Sequence, residues 1–156
     1  MIKRLYEQLL TALSTQHSEE QSDEERAKAL RLATAVLLVD VARADDNFSE
    51  AEFERVITLI TRHFSLSTEE AAQLVNSADE QAEQLASVYE LTRELHVSLD
   101  DDEKAEVVRL LWEVAYADGE LDKFEDSLVL KISDLLYVSR GLVMRLKHDA
   151  QTRARA

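Results

Sequence analysis

Apolar positions in this chain recur mostly at intervals of three and four, the spacing of one face of an α-helix. Ile2, Leu5, Leu9, Leu10 and Leu13 predict a first amphipathic helix ending near Ser14. A polar connector at 15–21 follows, and a long helix then runs to about Ala44. Its second half, 32–42, is apolar on nearly every side, which predicts a central buried helix. Phe53, Val56, Ile57, Ile60 and Phe64 form the next stripe. A short helix through Leu74 and Val75 is expected after it, then one carrying Ala82, Leu85, Val88, Tyr89, Thr92 and Leu95 on one side. Val107, Val108, Leu110, Leu111, Trp112, Val114 and Ala115 mark a second nearly all-apolar helix. Leu128, Val129, Ile132, Leu135 and Leu136 belong to the next, and Leu142, Val143 and Leu146 to a last helix fraying by about Gln151.

Helix starts are signalled by a short polar residue followed three positions later by Glu. The hydroxyl or carboxylate accepts from a first-turn N–H, and the Glu reaches back. Six such boxes are expected: Ser22/Glu25, Ser49/Glu52, Ser67/Glu70, Ser77/Glu80, Asp100/Glu103 and Asp122/Glu125. The prediction is an all-α, compact single-domain bundle of about eight helices over residues 1–156.

Residues 37–60 and 110–133 superpose with a shift of 73 positions. The shift lays Leu37 on Leu110, Val41 on Val114, Ala44 on Ala117, Asp45 on Asp118 and Glu52 on Glu125. Each copy is an apolar helix ending at Ala-Asp, a polar turn, and an amphipathic helix whose Glu lies seven residues after the Asp. Two similar halves are therefore expected, with core units at about 30–75 and 103–146 and the two apolar helices at the centre. Trp112 and Tyr116 are expected in that core. Asp40 and Glu113 interrupt the apolar helices at equivalent places; they are expected on the exposed edge or paired with Arg43 and Arg109, an interior polar pair being the alternative.

Composition narrows the chemistry. The chain has no Pro, two Gly and no Cys, which favours helices and excludes disulfides and thiolate metal sites. Net charge is −14. The one basic stretch, 140–156, carries Arg140, Arg145, Lys147, Arg153 and Arg155 against Asp149, and complements a helix C-terminus rather than a nucleic acid. No apolar run approaches a bilayer span and the N-terminus lacks a signal-peptide core, so a cytoplasmic protein with no membrane insertion is expected. The four His are scattered, and no HExxH, phosphate loop or nucleophile elbow occurs.

The candidate chemistry is in the turns. If the halves pack about a pseudo-twofold, Asp45, Glu52, Asp118 and Glu125 converge. An all-oxygen set of that kind suits Ca²⁺, Mg²⁺ or Mn²⁺. An EF-hand loop is excluded, because position 6 counted from Asp118 is Lys123 and position 12 is Val129. The competing role is helix capping, worth about 1 kcal/mol per cap, with Gly119 supplying a left-handed residue. The two roles are compatible, since a capping carboxylate has a second oxygen.

The repeated A-D-x-x-x-(S/D)-x-x-E pattern, at 44–52 and 117–125, together with the apolar helix before each turn, resembles the tellurite-resistance TerB family over about residues 30–146. The second copy, AYADGELDKFE, is close to the family's AxADGxxxxxE; the first has Asp46 where Gly is common. The resemblance implies a helical bundle, also found as the N-terminal domain of a membrane-anchored J-domain co-chaperone. It further implies a bacterial stress-associated module with an acidic surface for metal or protein partners. The expectation is a non-enzymatic binding module whose acidic turns form a docking or divalent-cation site. The alternatives are a metal-dependent hydrolase on the same carboxylates and a metal-free structural adaptor docking through a groove.

Overall fold

In a computed structural model of the chain, residues 23–44, 49–84, 88–117, 119 and 121–155 are described. They form seven helices and no strand: α1 (Asp23–Ala42), α2 (Glu50–Phe64), α3 (Thr68–Gln84), α4 (Tyr89–Ser98), α5 (Asp101–Ala115), α6 (Lys123–Leu135) and α7 (Arg140–Arg155). The helix expected at 2–14 and the Ser22 cap lie outside the described residues. None of the described helices is long and apolar enough to cross a membrane.

The two helices with the widest apolar surfaces are the centre. In α1, Ala33, Ala35, Val36, Leu37, Leu38, Val39 and Val41 are all buried, and in α5 so are Val107, Val108, Leu110, Leu111, Trp112 and Val114. The two helices pack against each other. Each also carries the two helices of its own half, α2 and α3 on α1, α6 and α7 on α5. Glu50 and Lys123, the first residues of α2 and α6, stand 73 positions apart, the same interval that relates the two motifs. Removing these aliphatic side chains from water is the main driving force for the arrangement, at about 1.5–3 kcal/mol for each large one.

Local signals decide most helix ends. Ser67 and Glu70 exchange both box hydrogen bonds at 3.0 and 3.1 Å, and Asp100 and Glu103 do so at 3.0 and 2.8 Å. Both α2 and α6 end with a left-handed residue, Ser65 (φ 54°) and Tyr137 (φ 61°). In each case the next N–H reaches back five residues, from Leu66 to Thr61 O and from Val138 to Ser133 O, both at 3.1 Å.

Three expectations need correction. Ser77/Glu80 opens no helix, because α3 runs unbroken from Thr68 to Gln84. Ala71, Val75, Ala78 and Ala82 form one continuous buried face, and packing on α1 and α2 carries the helix past a weak start signal. The stripe assigned to one later helix divides between α3 and α4, and Tyr89, placed in it, is 56% exposed at the start of α4. The last helix continues to Arg155, beyond the expected fraying point, since Ala150 is buried.

Candidate functional site

Each turn leads into a helix whose third residue is a buried glutamate. Glu52 is 4% exposed and Glu125 is 3% exposed. Ser49 Oγ accepts the Glu52 N–H at 3.2 Å and donates to Glu52 Oε1 at 3.1 Å, so this glutamate takes part in its own cap. At the second turn Asp122 Oδ2 accepts from the Phe124 N–H at 2.8 Å, one position earlier than the box pattern predicts. Gly119 has φ +87°, the left-handed conformation expected for it. Asp45 and Asp118, the other two carboxylates proposed as cation ligands, lie outside the described residues. Among the described residues no group of three or more His, Asp or Glu is poised to hold a metal ion.

The second turn borders a cavity of about 240 Å³, lined by Arg55 from α2, Glu113 from α5, Tyr116, Ala117 and Gly119 from the turn, and Ala150, Arg153 and Ala154 from α7. The helix that follows the first turn and the residues of the second turn thus bound one space. Glu113, whose side chain is only 10% exposed, is held there by three guanidiniums. Arg109 Nη1 donates to it at 2.7 Å, Arg153 Nη2 lies at 3.1 Å and Arg55 Nη2 at 3.5 Å. Arg109 also hydrogen-bonds Glu106, which lies 3.5 Å from His63 Nδ1. The Arg109 hydrogen bond is the main reason the Glu106 carboxyl sits below its ordinary range, with burial opposing it and the charges of Arg109 and His63 adding to it. The same bond pushes the Arg109 guanidinium still higher.

The equivalent position in the first half behaves differently. Burial pushes the Asp40 carboxyl above the usual value of 3.8, and the nearby charges of Arg43 and Lys131 offset this in part. Arg43 itself turns to α3, donating to Asp79 Oδ1 at 2.7 Å. The expected Glu113–Arg109 pair is therefore present, whereas Arg43 makes its ion pairs with Asp79 and Glu83. Arg55 and Arg153 had no local signal, because the fold brings them to Glu113 from 58 and 40 positions away.

A larger concavity of about 490 Å³ lies between α1, the end of α2 and the start of α5. Leu30, Phe64, Leu99 and Val107 line it, with Asp102, Glu103 and Glu106 among its polar residues.

Two central helices, each followed by a capped amphipathic helix, define the class of an all-helical bundle. The chain belongs to the TerB family: the family model described as "Tellurite resistance protein TerB" matches residues 31–148, most of the chain. The family is generally not one of enzymes. Neither a curated protein nor a solved structure matches the chain.

Proposed function

We propose that this chain is a non-enzymatic, cytoplasmic TerB-type binding module of a stress-response assembly. It docks a protein partner through its acidic helix–turn–helix units, with Asp45, Glu52, Asp118 and Glu125 as ligands for Ca²⁺, Mg²⁺ or Mn²⁺. The observation that carries this reading is the burial of an ionisable side chain at the same place in both halves. Glu52 and Glu125 open equivalent helices beside the two turns, and a carboxylate that serves a helix start has a second oxygen that a hard cation can share. The shared cavity supports it too, since α2 approaches the second turn there.

Thermal unfolding with and without each cation tests the reading. A ligand that binds only the folded state stabilises it by about 2.7 kcal/mol at a hundred times its dissociation constant. The expected outcome is a rise in Tm with at least one cation, lost in Asp118→Asn and in Glu125→Gln. Absence of a shift for all three cations at millimolar concentration refutes the cation site. The apolar groove beside Phe64 favours a second reading, a metal-free adaptor, and that outcome would leave it standing.

A further inference from the structure

We propose that the cavity between α2, α5 and α7 is a binding site for a small terminal oxyanion, such as a phosphoryl or carboxylate group, held between Arg55 and Arg153. A guanidinium has five N–H donors in a planar fork matched to a pair of oxygens. Arg55 and Arg153 each commit one nitrogen to Glu113, at 3.5 and 3.1 Å, and neither has another ion pair among the described residues. Their side chains are 40% and 53% exposed, and both line the cavity.

Glu113 cannot saturate them. Its Oε1 is already taken at 2.7 Å by Arg109, whose remaining contacts go to Glu106. Among the described residues three guanidiniums thus share two carboxylates, Glu113 and Glu106, on a chain whose net charge is −14. The cavity, about 240 Å³, accommodates an oxyanion of a few heavy atoms. Its two arginines stand on different helices, so one anion would tie α2 to α7. Ala117, Gly119, Ala150 and Ala154 add little bulk to the lining.

The geometry favours modest affinity. Bidentate guanidinium–oxyanion bonds are among the stronger protein hydrogen bonds. Against them stand the repulsion of Glu113 and the acidic body, the latter screened beyond roughly 8–10 Å at ordinary ionic strength. For a ligand of about five heavy atoms this places Kd near the millimolar range. None of the proposed cation ligands is among the residues that line the cavity.

The test is an amide NMR titration of the full chain with inorganic phosphate, and in a parallel arm with acetate, ionic strength being held constant with sodium chloride. The expected result is a saturable shift of the Ala117, Gly119 and Ala150 amides in at least one arm. The arm that saturates identifies a tetrahedral phosphoryl or a planar carboxylate group as the ligand. Arg55→Gln and Arg153→Gln should each weaken binding tenfold or more. Arg140→Gln, which removes a guanidinium paired with Asp134 on the surface, should leave it unchanged. Both tested arginines are half-exposed, and retained dispersion of the amide spectrum checks that each variant folds. Shifts that grow linearly without saturation, that spread over the surface, or that survive Arg153→Gln would overturn the proposal.

Discussion

Replacing Glu113 with Gln tests whether the arginine cluster holds the bundle together. The carboxylate is 10% exposed, and its three partners come from α5 itself, α2 and α7. Part-exposed ion pairs contribute about 0.2–1 kcal/mol each. The Arg153 and Arg55 pairs belong near the bottom of that range, because these side chains are 53% and 40% exposed and the second contact is 3.5 Å long. Arg109 is 31% exposed and 2.7 Å away, which puts its pair near the top. Mutual repulsion of three guanidiniums left with Glu106 alone adds to the loss, giving about 1–2 kcal/mol in all. Were the cluster dry, the loss would be roughly 3–5 kcal/mol. For a chain of this length the smaller figure corresponds to a fall in Tm of about 3–7 °C. Urea denaturation should show a lower midpoint with an unchanged slope, and the deficit should shrink in about 1 M salt as the exposed pairs are screened. A variant as stable as the parent, or a deficit insensitive to salt, refutes the reasoning.

Other substitutions probe separate devices. Trp112→Phe removes a fully buried indole whose Nε1–H donates to Val143 O at 3.1 Å across α5 and α7. The expected cost, read by chemical denaturation, is about 2 kcal/mol from the lost bond and the space left behind. Ser65→Gly relieves a left-handed non-glycine residue at φ 54° and should raise stability by about 0.5–1 kcal/mol in the same assay. Asp40→Asn should stabilise the protein, in a pH-dependent way. The folded-state pKa is raised above 3.8, so in the window above that value the native state keeps a proton that the unfolded chain has released. Parent stability from this group therefore falls as pH rises through the window, and the variant escapes the fall. The Tm advantage of the Asn variant should be present near pH 7 and vanish below about pH 4. An advantage that grows toward acid pH would contradict the assigned cause.

How far the sequence could be read depended on the range of the interaction. The buried surfaces of α1 and α5 were legible because helical periodicity reports directly which faces avoid water. Caps at Ser67 and Asp100, and the left-handed Gly119, were legible because their partners lie within a few residues. Ser77/Glu80 matched the same pattern and misled. A box competes with continued helix, and four buried alanine and valine positions in α3 outweighed one weak start signal. The repeat marked Glu52 and Glu125 as equivalent, but whether such residues are solvated or sealed cannot be told from spacing.

By itself, then, the sequence determined a helical chain, its two central helices, most of its caps and the TerB pattern around its two turns. All of these follow from backbone preference and from periodicity within single helices. Tertiary structure alone decided that Glu52 and Glu125 are buried, that α3 is unbroken, and that Arg55 and Arg153 meet at Glu113 from opposite parts of the chain. Burial and long-range charge pairing arise only when helices pack, and no local pattern encodes which distant side chain will close an ion cluster.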